Sequence, residues 1–173
     1  HPVQQAVARV LSEMCDVTAA DLAWGIDGCS VPTWAIPLRA MALGFQRFAS
    51  GEGLSAERRA ACQRIITAVR AHPFMVAGTK RLCTDLMTAV PRAFVKTGAE
   101  GVFCAAVPHA GIGIAVKCDD GAHRASETAI AAILASLDCW TAPERDALTR
   151  FMRQPITSRR GRAVGEVRAV QPA

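Results

Sequence analysis

The stretch Phe94–Gly121, FVKTGAEGVFCAAVPHAGIGIAVKCDDG, is where the texture of this chain changes. Before it, apolar residues return every three or four positions, the period of a helix. From Phe94 onward they form short runs rich in Val, Ile, Phe and Ala, bounded by glycine, proline and aspartate, which is how strands read. Two strand-like runs, FVKTGAEGVFCAAVP and GIGIAVKCDDG, meet at His109-Ala110-Gly111, a connection that suits a hairpin. Successive strand residues point to opposite faces. Val102, Cys104 and Ala106 therefore share one face, and Phe103, Ala105 and Val107 the other. Both faces are apolar, as expected of a central strand covered on both sides.

Helices are expected on either side of this hairpin. Pro2 suits a first helical turn, and Val3, Val7, Val10, Leu11 and Met14 then recur at helical spacing. TAADLAW (18–24) reads as a second, short helix, and AIPLRAMALGFQRFA (35–49) as a third, mostly apolar and buried. Ser55 is placed to cap a fourth helix, with Cys62, Ile65, Ile66 and Val69 facing inward. A fifth runs from about Met75 to Val90, striped by Leu82, Leu86 and Val90 and stopped by Pro91. After the hairpin, SETAIAAILASL (126–137) turns Ile130, Ile133, Leu134 and Leu137 inward. Thr141 and Glu144 have capping-box spacing for a last helix through Met152, and GRAVGEVRAV (161–170) adds a strand. The expected class is α+β. One domain portion covers 1–173: helical over 1–91, the strand hairpin over 94–121, then helices and a strand over 124–173. Three strands are few for so many helices, so part of the sheet is expected to come from elsewhere. His1, with no methionine before it, reads as part of something longer.

Composition narrows the function. The 173 residues are 51% hydrophobic and carry a net charge of +5, enough for one packed domain. Only Lys80, Lys96 and Lys117 are lysines; the arginines are dispersed and not interleaved with aromatics, which argues against a nucleic-acid surface. Seven cysteines without a CxxC pair fit reduced thiols of a cytoplasmic protein rather than a disulfide scaffold. No apolar run reaches the ~18 residues of a membrane span.

Three residues invite chemistry. Lys96 follows two large apolar residues and precedes Thr97 and Gly98. A partly desolvated ammonium there suits proton transfer, carboxylate binding or oxyanion stabilisation, with Gly98 allowing a small ligand to approach the backbone; it equally reads as a strand-end lysine in water. Cys29 sits in the Gly/Pro-rich loop WGIDGCSVPTWAIP, two positions after Asp27. With Asp27 as a ligand or orienting neighbour it could hold a metal, but nothing nearby completes a ligand set, and a plain loop thiol fits as well. Cys83, in KRLCTDLM, reads as a core thiol, because no base or oxyanion site accompanies it in sequence. CDDGAH (118–123) reads as a polar turn, and Gly111–Gly113 is not followed by a helix, so it is no phosphate loop.

Four segments, HPVQQAV, GIDGCSVPTWAIPL, AHPFMVAGTKRLCTDLM and VKTGAEGVFCAAVP, in this order, resemble the C-terminal half of the rhizobial-type L-asparaginases, the class 3 or asparaginase II enzymes. The resemblance implies a fold similar to serine β-lactamases and glutaminases, and hydrolysis of L-asparagine to L-aspartate and ammonia by a homodimer. It implies two serine–lysine tandems and a zinc ion held by two cysteines and a lysine. On it, Cys29 falls on the second zinc-ligand cysteine and Asp27 on the aspartate beside the metal. Lys96 falls on the lysine of one tandem, in a Lys-Thr-Gly position shared with Thr97 and Gly98, and Cys83 on or beside a pocket-lining cysteine.

The departure from the family pattern is large. None of the seven serines is followed three residues later by lysine, and no Cys-Ser-Gly-Lys stretch is present. Amide hydrolysis needs a nucleophile, oxyanion donors and a proton for the departing ammonia, and this sequence offers the lysine and the backbone near Gly98. Three readings follow: an asparagine amidohydrolase that needs a missing N-terminal half, a non-catalytic fragment or assembly module of the same fold, and a related glutaminase or β-lactamase-like hydrolase.

Overall fold

A computed structural model describes residues 1–170; the last three residues of the expected C-terminal segment, 171–173, lie outside the described residues. At its centre is an antiparallel sheet of three strands in sequential order, β3 (Phe94–Thr97), β4 (Val102–Val107) and β5 (Ile112–Lys117). Two separate two-stranded hairpins flank it in sequence: β1 (Trp24–Ile26) with β2 (Pro32–Trp34), and β6 (Arg153–Thr157) with β7 (Ala163–Arg168). The helices are α1 (Pro2–Cys15), α2 (Leu38–Ser50), α3 (Ala56–Ala71), α4 (Pro73–Ala77), α5 (Leu82–Ala89), α6 (His123–Ala135) and α7 (Ala142–Thr149). The class is α+β, as the change of period at Phe94 indicates. No helix among the described residues is long and apolar enough to cross a membrane, and all seven cysteines are free thiols.

The central strand is covered on both faces. Phe103 through Val107 are all buried, as the two apolar faces of β4 require. On one face α2 lies so close to β5 that a Cβ on Gly113 would stand 2.5 Å from the Gln46 backbone nitrogen. Phe94 stacks there on Phe45, with ring centroids 5.9 Å apart. On the other face Ile130 and Leu134 of α6 join Phe103, Ala105 and Val107 in the core. Glycine at 113 is what lets a helix backbone approach a strand this closely.

Several expectations change. The run 94–108 is not one strand but a hairpin of its own, because Glu100 (φ 53°) and Gly101 (φ 70°) turn the chain back between β3 and β4. The expected helix over 75–90 is two helices. Gly78 (φ 83°) and Lys80 (φ 56°) break it, and Pro73 begins the first piece, α4. TAADLAW holds only a single 3-10 turn, Ala19–Asp21, since Trp24 is already in a strand. The third helix starts at Leu38, after Pro37, and is half-buried, not buried. Ile65 is 53% exposed and Ile133 38%, so neither faces inward; both sit beside residues that do, Ile66 and Leu134. The last helix stops at Thr149, and Arg150–Met152 tightens into a 3-10 turn before β6. GRAVGEVRAV does contain a strand, β7, but it pairs with β6 and not with the central sheet.

Local signals explain the helix ends that were read correctly. The Ser55 hydroxyl accepts the Arg58 N–H at 3.2 Å and starts α3. At α7 the Glu144 carboxylate reaches back to the Thr141 N–H at 2.9 Å, completing the capping box.

Candidate active site

Antiparallel register fixes which side chains meet at the open end of the central sheet. Lys96 lies opposite Cys104, which lies opposite Ala115, and these three share the face that α2 covers further along. Lys96 is exposed, and its Nζ donates to the carbonyl of Thr97 at 2.7 Å. The expected desolvation of this ammonium is therefore absent in the chain as folded, whereas Phe94, two residues away, packs on Phe45 and Phe48 of α2. Cys104, its neighbour across the strand, is buried. Burial, with Cys15 nearby, pushes its thiol up to about 12 against the opposing pull of Lys96, so it is a neutral thiol at physiological pH.

The backbone of the next residue ties β3 to α5. The Thr97 N–H donates to Cys83 Sγ at 3.2 Å. Cys83 is 1% exposed; burial raises its thiol, while the Thr97 bond, Lys96 and Arg81 act in the opposite direction. It is thus a packed thiol in contact with the strand that carries Lys96. Gly98 donates its N–H to the Val102 carbonyl at 2.8 Å, closing the β3–β4 turn. That donor is committed within the fold, so the Gly98 N–H itself is not free for an oxyanion. A Cβ at Gly98 would stand 3.1 Å from Val102 Cβ, which gives the glycine a packing role in the turn.

Asp27, Gly28 and Cys29 occupy the tip of the β1–β2 hairpin, a more ordered setting than a Gly/Pro loop. Asp27 accepts the Gly28 N–H at 2.7 Å through Oδ1 and the Cys29 thiol at 3.5 Å through Oδ2. Its backbone pairs with Val31 and Ser30, and Ser30 takes the left-handed conformation, φ 64°. Both donor side chains are exposed at the tip. They would supply two of the three or four donors that zinc takes from protein. Among the described residues no group of three His, Cys, Asp or Glu side chains could hold a metal. The residues of this chain alone do not fit a complete zinc site.

The structure thus forms two groups, Cys83 with Lys96, Thr97 and Gly98 on the central sheet and α5, and Asp27 with Cys29 on a separate hairpin. Among the described residues no hydrogen bond or ion pair links them. The family model for L-asparaginase II matches residues 1–169. The chain belongs to the L-asparaginase II family. No curated protein matches it. Within this asparaginase-family chain, Asp120 proves to be a turn residue. It accepts the Ala122 N–H at 2.9 Å and bonds Arg124 at 3.0 Å. Sequence reasoning missed Cys104, which stands beside Lys96 only through strand register, and Arg81 and Glu127, whose charges act on Cys83. The one usable signal was the KRLC segment, which sets Arg81 two residues before Cys83 at the start of α5.

Proposed function

We propose that this chain carries the lysine part of an amidohydrolase site that converts L-asparagine to L-aspartate and ammonia. The observation that supports it most is the Lys96-Thr97-Gly98 strand end, tied through Thr97 to Cys83, in a chain of the L-asparaginase II family. Lys96 would move the proton between a serine nucleophile and the departing ammonia. No Ser-x-x-Lys motif occurs in the sequence. The nucleophile would therefore come from a complementing polypeptide segment, which would also cover Lys96 and strip water from its ammonium. Cys29, with Asp27 beside it, would give a thiolate to a zinc ion whose remaining donors lie on that segment. The reading carries with it a serine β-lactamase-like arrangement and a homodimer. Glutamine is the competing substrate, since it differs by one methylene, which a pocket discriminates weakly.

The decisive measurement is ammonia release from asparagine by the chain alone and with the complementing segment, each with Lys96→Ala as control. Activity in the complemented protein that Lys96→Ala lowers by about 10²–10⁴-fold supports the assignment; activity that survives the substitution removes Lys96 from the chemistry. The exposure of Lys96 favours one second reading, a non-catalytic module of the same fold. It predicts no ammonia release under either condition.

A further inference from the structure

The turn that follows Lys96-Thr97-Gly98 is strained and is held from outside. Glu100 is a non-glycine residue in the left-handed region, at φ 53°, a conformation that persists where neighbouring structure enforces it. Opposite it runs a second tight turn, Cys118–Gly121, closed by the Gly121 N–H on the Cys118 carbonyl at 3.0 Å. The two turns touch backbone to backbone: a Cβ on Gly101 would lie 2.9 Å from the Gly121 carbonyl carbon. The Cys118 N–H donates to the Gly101 carbonyl at 3.1 Å. Between them lies Lys117, whose Nζ donates to the Glu100 carbonyl at 2.6 Å and to the Cys118 carbonyl at 2.7 Å. Register pairs Lys117 with Val102, the residue whose carbonyl receives the Gly98 N–H.

We propose that Lys117 is a positioning residue: its ammonium clamps the Ala99–Gly101 turn to the Cys118–Gly121 turn and so fixes the strand end that presents Lys96 and Thr97. An ammonium has three donors and suits a pair of converging carbonyls. Among the described residues no carboxylate pairs with Lys117, so the clamp rests on backbone geometry and not on an ion pair. In acting on Lys96 during catalysis, the proposal rests on the function proposed above; as a clamp it does not.

The test compares Lys117→Met and Lys117→Arg with the unaltered chain by residue-resolved amide hydrogen exchange. In Lys117→Met the amides of Gly98, Val102 and Cys118 are expected to exchange at least about tenfold faster, with Val95 and Ala105 unchanged; Lys117→Arg, which keeps donors for carbonyls, restores most of the protection. Unchanged exchange at the three turn amides, a uniform rise across the whole sheet, or failure of arginine to restore protection each overturns the clamp. In the complemented enzyme, Lys117→Met is expected to lower kcat at least about tenfold while KM moves less than about threefold. Loss confined to KM, or no loss, overturns the link to Lys96. If the complemented wild type releases no ammonia, the amidohydrolase reading and the link to Lys96 fall together, and the exchange measurements still decide the clamp.

Discussion

At the scale of single residues, burial decides which groups can do chemistry. Lys96 and Cys104 face each other across one pair of strands, yet one is solvated and the other sealed. Lys96→Ala should therefore leave stability within about 0.5 kcal/mol of the original, as exposed substitutions do, measured by urea unfolding. This separates any catalytic loss from a folding defect. Cys104 has a signature of its own. Its thiol is pushed up to about 12 in the folded chain, whereas an unfolded thiol ionises near its ordinary value. The native state thus holds the proton longer than the unfolded state does. The contribution is intact below the unfolded value and is lost as pH climbs toward the folded one, at about 1.4 kcal/mol per unit over that window. Cys104→Ala should flatten the decline in stability between roughly pH 9 and 12. An alkaline unfolding curve that stays as steep in the variant counts against the sealed thiol.

At the scale of elements, close approach and capping carry the stability. Gly113→Ala would drive a methyl group into the α2 backbone near Ala42 and Gln46. Backbone cannot yield as a flexible side chain does, so a loss of about 3 kcal/mol or more is expected from overpacking, visible as a fall in Tm. Thr141→Ala removes half of the capping box and should cost about 1 kcal/mol. Burial pushes the Glu144 carboxyl up. The hydrogen bonds from Thr141 and the Arg92 guanidinium nevertheless hold it below the usual range. Its contribution is present at neutral pH and fades as pH falls through that lowered value, so Thr141→Ala should also lessen the loss of stability in acid, followed by acid titration of the folded signal. The capping signals were legible because they lie within four residues of each other. The β3–β4 turn was not legible: nothing in GAEG announces that Glu100, and not only a glycine, adopts the left-handed conformation. The segment that this turn packs against, Cys118–Gly121, is remote in sequence.

At the scale of the whole molecule, an apolar surface between α1 and α2 is left open among the described residues. Val3, Val7 and Val10 of α1, Phe45 and Phe48 of α2, and Phe94 line a groove of about 620 Å³. Val3 and Val7 are 57% and 44% exposed. A contiguous apolar surface of this kind binds hydrophobic dyes. Val7→Glu should lower dye fluorescence and leave stability within about 0.5 kcal/mol; fluorescence equal to that of the parent chain argues that the groove is not the dye site.

The sequence by itself determined the α+β class, the order of most elements, the caps of α3 and α7, the two-sided burial of β4 and the family. Each of these depends on periodicity or on residues near in sequence, and such signals survive without knowledge of the fold. Only the tertiary structure decided that 94–108 doubles back, that Lys96 stands beside Cys104, that the Thr97 N–H rests on Cys83, and that Asp27 and Cys29 ride on a hairpin of their own. Those outcomes turn on strand register and on left-handed residues held by distant backbone. Their free energy comes from contacts between segments far apart in the chain, and no local pattern encodes it.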